Sequence, residues 1–373
     1  MYCLQPLMPL FAREFRITAA DSSLSISVTT GCLAFSMLLA GGLSEVLGRK
    51  PMMAASLFSS AALTVVSAFV PTWSGFLTFR ALEGVAFSGL PSVAMAYLSE
   101  EMDTDAIGLA MGLYIGGTAI GGMSGRLLVG VLTDALSWRF ALGIIGALGL
   151  VAAAVFWRSL PPSLQFERHP LVIGRLTRLM SEHLADASLP WLYCEGFLLM
   201  GTFVTIYNYL GFRLVEPPYS LTQGQIGLIF IVYLVGAGSS AWVGNLAGRL
   251  GRRNLVCLSI SMMVVGVLVT TARPLPVIIL GVALFTFGFF GAHSVVSSWV
   301  GLRARHSRAQ ASSLYLFFYY LGSSIVGFSG GFLWHAQRWN GVVAFTALLL
   351  VLAVLIPSIR LQLQQCSDVA RSS

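Results

Sequence analysis

The sequence predicts an all-α polytopic membrane protein built from two six-helix halves, and three observations carry that prediction. The chain has 373 residues, of which 56% are hydrophobic and only 10% charged. That is more apolar surface than a soluble core of this length uses, so the solvent that fits it is a bilayer. Apolar runs long enough to span recur along nearly the whole chain. A short basic hairpin also occurs twice, as Gly42-Leu-Ser-Glu-Val-Leu-Gly-Arg-Lys-Pro-Met-Met53 and as Gly244-Asn-Leu-Ala-Gly-Arg-Leu-Gly-Arg-Arg-Asn-Leu-Val256, with Gly48-Arg49-Lys50 aligned on Gly251-Arg252-Arg253 at an offset of 203. A motif repeated at that distance in an apolar chain marks two copies of one helical unit.

In chain order, a stub at 1–12 precedes apolar runs near 22–44, 51–71, 74–98, 107–131 and 138–157. After a polar stretch come runs near 189–212, 225–247, 254–272, 274–298, 310–334 and 340–360. Each supplies the roughly 20 residues that a bilayer core requires, and glycine is frequent inside them, as expected where helices pack closely in lipid. The repeat accounts for the stub. Leu189 precedes Gly251 by 62 residues, whereas Met1 precedes Gly48 by 47. The stub therefore reads as the outer end of a first helix whose inner half is absent, so that Met1 is an internal Met or the chain a fragment. The expected organisation is an N-terminal half over 1–157, a linker over 158–188, a C-terminal half over 189–361 and a tail over 362–373. The linker holds Arg158, Arg168, Arg175 and Arg178 with three prolines. It is either a plain tether or carries a short helix lying at the membrane surface. Paired repeats of this kind build secondary transporters.

Charge sets orientation and excludes other classes. The net charge of +7 comes from 22 basic residues scattered through short loops, not gathered into a nucleic-acid surface. Fourteen of them fall on the side of Arg49 and Lys50 and six on the opposite side. The hairpins and the termini of the full-length form are thus expected in the cytoplasm. The five Cys show no paired spacing and read as small hydrophobes, so neither a metal nor disulfides are expected. No phosphate-binding G-x-x-x-x-G-K-[ST] loop is present, which disfavours an ATP-driven pump. A receptor or enzyme would need an extramembrane domain or catalytic set that the sequence does not contain.

Charged groups inside spans are costly and mark function by default. Arg80 and Glu83 lie one helical turn apart and can pair, either as a proton-coupling couple or as a static anchor. Glu195 either takes part in transport or sits near the membrane interface. His293 is either a proton carrier or a hydrogen-bonded structural residue. Arg126, Tyr207, Asn208, Tyr315 and Tyr319 are candidate cavity residues, with Tyr315 and Tyr319 on one face; helix packing is the alternative for the tyrosines. Gly122-Met-Ser124-Gly125 matches a serine motif of intramembrane proteases. Its recurrence as Gly327-Phe-Ser329-Gly330, at an offset of 205, points to packing instead.

The hairpin resembles the cytoplasmic loop signature of the major facilitator superfamily, G-x-L-a-D-r-x-G-r-[RK], with Gly42, Gly48, Arg49 and Lys50 in place and Glu45 where Asp is usual. Gly48 permits a turn that a Cβ would obstruct. Leu77-Thr-Phe-Arg80-Ala-Leu-Glu83-Gly84 resembles the family's l-x-x-x-R-x-x-q-G motif. The Gly-rich run from Gly112 to Gly125 is similar to its antiporter motif, although Gly117 stands where Pro is expected. The resemblance covers nearly the whole chain and is closest to the drug:proton antiporter branch. It implies twelve helices, alternating access and proton-coupled export of small organic molecules through a bacterial inner membrane. It also implies a role for Arg80 in coupling, and for Glu45 as a latch against the start of the eleventh helix, near 310–313. The second copy has Gly248 at that position and a weaker latch. A facilitator or importer of the same fold is the alternative. The expected energy source is a proton gradient with no cofactor, the expected partners are a small-molecule substrate and membrane lipid, with no nucleic acid, and the expected state is a monomer.

Overall fold

The computed structural model describes residues 1–103, 107–163, 166, 173–304 and 307–356. The expected tail over 362–373, and Arg168 and Pro170 of the linker, lie outside the described residues. Helices account for nearly all of what is described, with no strand among the described residues. A 3-10 turn over Tyr2–Leu7 leads into α1 (Met8–Glu14), α2 (Ala19–Leu47), α3 (Arg49–Ser67), α4 (Trp73–Phe87), α5 (Pro91–Glu101), α6 (Ile107–Ala135) and α7 (Trp138–Ser159). Then follow α8 (Ile173–Leu184), α9 (Leu189–Val215), α10 (Gln223–Ile229), a 3-10 turn over Phe230–Val232, α11 (Tyr233–Leu250), α12 (Arg252–Val269), α13 (Leu275–Arg303) and α14 (Arg308–Leu355). Among the described residues, 8 helices are long and apolar enough to cross a membrane. Helix α14 is two helices joined at a kink, where Gln337 and Arg338 leave helical geometry. The eleven expected runs are thus found in order, and the stub provides a short twelfth element.

Local chemistry sets the helix starts. Thr18 and Asp21 form a reciprocal capping box at the head of α2, as Thr222 and Gln225 do at α10. Thr72 caps α4 and Ser137 caps α7. Helix α2 is rich in Ser and Thr yet lies within a span. Ser22, Ser23, Ser25, Thr29 and Thr30 each donate to a carbonyl one turn back, which satisfies their hydroxyls inside the helix. Pro91 opens α5 after a break in the expected 74–98 run, since it lacks the backbone N–H that would continue the preceding helix and its ring crowds the carbonyl one turn back.

The chain divides into two compact units. One comprises Met1–Leu176 with Leu214–Phe230, the other Thr177–Arg213 with Ile231–Ser373. In the first unit α2, α3 and α4 pack together, α3 lies on α7, and α6 carries both α10 and the N-terminal turn. At the end far from Gly48, Phe11 packs against Trp73, Phe76 and Trp138 at centroid distances of 5.9, 5.6 and 5.1 Å. In the second unit α13 packs against α11 and α12. The linker does contain a helix, α8, whose His183 Nε2 lies 3.2 Å from the carbonyl oxygen of Ser307.

Candidate functional site

The hairpin geometry is written in two glycines. Gly48 has φ +97° and Gly251 has φ +82°, a region open to glycine at little cost. A Cβ at Gly251 would meet nothing within 4 Å, so the backbone torsion, not crowding, requires the residue. Beyond the turn, Arg49 is held against the protein. It is 9% exposed and makes a two-pronged bond to Glu100 at the end of α5, at 2.6 and 3.1 Å. A third contact reaches Ser44 Oγ at 2.5 Å. Lys50 donates to the carbonyl of Leu160 and lies over the ring of Trp157. The first hairpin is therefore tied to α5 and to the start of the linker. In the second copy, the offset of 203 places Arg303 where Glu100 stands in the first. Arg252 Nε is buried with no hydrogen-bond partner among the described residues. Sequence reasoning missed Glu100; its signal was an acid at a span end whose repeat-related position carries the opposite charge. Gly42 and Glu45 are partly buried on the last turns of α2.

Arg80 and Glu83 form the expected pair, both 1% exposed. Arg80 also donates from Nε to the Ser25 carbonyl at 2.8 Å and from Nη2 to the Met1 carbonyl at 3.0 Å. A Cβ at Gly84 would collide with the Thr29 carbonyl, so glycine is what lets α4 approach α2 here. Arg126 keeps separate partners. Its Nε donates to Gln5 Oε1 and its Nη1 to the Gly122 carbonyl, both at 2.6 Å, and it lies over the rings of Tyr2 and Phe230.

In the second unit, Glu195 lies in the second turn of α9. It is 1% exposed on α9, and neither carboxylate oxygen has a hydrogen-bond partner among the described residues. His293, Tyr315 and Tyr319 come together as one group. His293 Nδ1 lies 2.8 Å from Tyr315 Oη, and its ring centroid is 4.8 Å from that of Tyr319. The ring of Tyr315 crosses α9 at Gly196, next to Glu195. Tyr207 is buried, with its hydroxyl 2.7 Å from Thr286 Oγ1 and its ring against Phe203 and Tyr233. Tyr209 donates to the carbonyls of Gly327 and Phe328 and joins α9 to α14. Asn208 is fully buried beside Gly327.

The two glycine-rich runs behave differently. A Cβ at Gly322 would collide with the Phe197 carbonyl, and one at Gly330 would sit 2.5 Å from Thr205. These glycines allow α14 to close on α9. At Gly116, Gly117 and Gly121 a Cβ would meet no atom within 4 Å. The packing face expected along α6 is therefore open at these three positions, a correction to the sequence reading. Close approach on α6 occurs further along, at Gly130, where a Cβ would lie 2.5 Å from the Gln223 carbonyl.

Residues 1–216 match the family profile described as Major Facilitator Superfamily. The chain belongs to the Major Facilitator Superfamily. This superfamily member is 48% identical over 354 residues to the uncharacterized MFS-type transporter YybF of Bacillus subtilis (strain 168), covering 95% of this chain and 88% of that one. It is 47% identical over 356 residues to the inner membrane transport protein YnfM of Escherichia coli (strain K12), covering 95% and 85%. The fold resembles the crystal structure of the nucleoside transporter NupG, with a TM-score of 0.79, 15% identity and coverage of 96% and 94%. It also resembles the human organic anion transporter MFSD10 (TETRAN), with a TM-score of 0.72, 20% identity and coverage of 95% of each chain. The superfamily assignment makes this chain a multi-pass membrane transporter and not an enzyme.

Proposed function

We propose that this transporter exports small organic molecules across a bacterial inner membrane by proton antiport with alternating access. The observation that carries the proton coupling is Glu195, a carboxyl group enclosed in a span with no hydrogen-bond partner on either oxygen among the described residues. An isolated charge is expensive there, and no wide cavity is needed for so small a guest as a proton. Glu83, the acid of the other coupling candidate, already has a matched cation in Arg80. Glu195 therefore takes the coupling role and the Arg80–Glu83 pair holds α4. Export is favoured by the resemblance of the α6 glycine run to the antiporter motif. The inner membrane is favoured by the name carried by YnfM, and cytoplasmic termini by the charge bias. In the second unit, Asn208 and Tyr319 are the residues we assign to contact with substrate. Glu45 is assigned to the cytoplasmic latch, an anion favoured at a helix N-terminus.

The test is flux through the full-length protein in liposomes, using hits from an unbiased screen of small organic molecules and a pH-sensitive dye inside. Antiport predicts that a proton gradient drives substrate uphill and that substrate flow moves protons the other way. Glu195→Gln should abolish uphill flux and spare downhill exchange. Substrate and protons moving together would replace export with symport. Flux indifferent to the gradient would reduce the protein to a facilitator.

A further inference from the structure

We propose that His293 and Tyr315 form a side-chain relay carrying protons between water and Glu195. The proposal rests on the reading of Glu195 as the coupling acid. At 1% exposure, with both oxygens unpartnered, Glu195 cannot exchange a proton with water directly in this conformation. The proton must pass through a neighbouring side chain. Tyr315 is the neighbour in place. A Cβ at Gly196 would lie 2.6 Å from Tyr315 Cε2 and 3.1 Å from its Cζ, so the phenol ring lies flush against the turn of α9 that carries Glu195. Its hydroxyl is already 2.8 Å from His293 Nδ1. The imidazole is only partly buried, held by Phe289 at 5.9 Å and Tyr319 at 4.8 Å between ring centroids. The remaining titratable groups at this site are Tyr193 and Cys194, both on α9, and Tyr319 on α14. The line thus runs from a partly buried imidazole to an enclosed carboxylate through one hydroxyl.

In the uptake direction, a proton binds His293 Nε2. Nδ1 passes its proton to Tyr315 Oη as the phenol gives its own to a Glu195 oxygen, brought to it by rotation of the Glu195 side chain. One N–H and one O–H bond break, and one N–H and two O–H bonds form with the incoming proton. The imidazole and the phenol end neutral and Glu195 ends protonated. Exchange with water returns the partly buried imidazole to its starting tautomer, and release runs in the reverse sense.

The test is time-resolved difference infrared spectroscopy of the full chain after a pH jump. It follows the protonated-carboxyl band that Glu195→Gln removes. Tyr315→Phe keeps the ring but deletes the relay hydroxyl, and should slow the band on the order of 100-fold, the usual worth of a placed proton-transfer group. His293→Gln should slow it to a similar degree. Where Tyr315→Phe does not fold, His293→Gln decides the matter. An unchanged rate in either relay variant overturns the relay while leaving Glu195 as the coupling acid. Absence of any Glu195-dependent band in the parent overturns the reading of Glu195 itself.

Discussion

Glu83 and Glu195 are both acids enclosed in spans at 1% exposure, and their surroundings set opposite expectations for their removal. Glu83→Gln leaves the Arg80 guanidinium with a buried charge and no counter-ion, a loss of about 3–5 kcal/mol where such pairs are broken. Glu195→Gln removes a carboxyl that has no bond to lose. Thermal unfolding in detergent should therefore show a lowered midpoint for Glu83→Gln and an unchanged or raised one for Glu195→Gln. A fall in both would mean that Glu195 has a structural partner. The two hairpins allow a parallel comparison. Arg49→Ala breaks a two-pronged pair with Glu100 at a partly exposed site, costing about 1.5–3 kcal/mol, whereas Arg252→Ala breaks no acid pair among the described residues and should cost less. Equal midpoints for these variants would show that the Glu100 pair contributes nothing measurable. Sequence placed Arg80 beside Glu83 because a three-residue spacing fixes neighbours within a helix. It could not place Glu100 beside Arg49, 51 residues away, because that contact depends on how two helices meet. The isolation of Glu195 was equally hidden, since a lack of partners is a property of packing and not of spacing.

At the scale of elements, the head of α10 is held by α6. Both Asp134 carboxylate oxygens accept from backbone N–H groups, of Gln223 at 3.1 Å and Gly224 at 2.8 Å. Asp134→Ala should weaken this start by about 0.5–2 kcal/mol, the range for a lost cap. Hydrogen exchange of the amides over 223–229 should accelerate, with those of α12 unchanged; uniform acceleration would indicate global loosening instead. The glycine runs divide in the same way. Gly322→Ala drives a methyl into the Phe197 carbonyl and should lower the unfolding midpoint. Gly117→Ala enters open space and should hold or raise the midpoint, since Ala is favoured over Gly within a helix by about 0.5–1 kcal/mol. The order and approximate extent of the long helices were legible in the sequence, because a bilayer demands long apolar runs. The breaks at Pro91 and at Phe230–Val232 were not taken as boundaries, since apolar character continues across both. The differing use of two similar glycine textures could not be read at all, because composition does not say which face meets a neighbour.

For the whole molecule, the internal repeat foretold two related bodies but not how the chain is shared between them. Residues Leu214–Phe230, which begin with the last two residues of α9, belong to the first body although the rest of α9 belongs to the second, and the helical path then re-enters the second body through the 3-10 turn at Phe230–Val232. The repeat, read as one duplicated unit, suggests a clean division in the linker; the contacts instead put one loop and two turns of helix on the other side. This bears on attempts to express the protein in pieces. A single cut within 158–188 yields an N-terminal fragment deprived of the segment that Asp134 caps and that Gly130 accommodates. Such a fragment would present a bare strip of α6 and draw on its missing companion, or on another copy, to cover it. Co-expressed fragments should therefore recover one another, while each made alone should be prone to degradation or to association with itself.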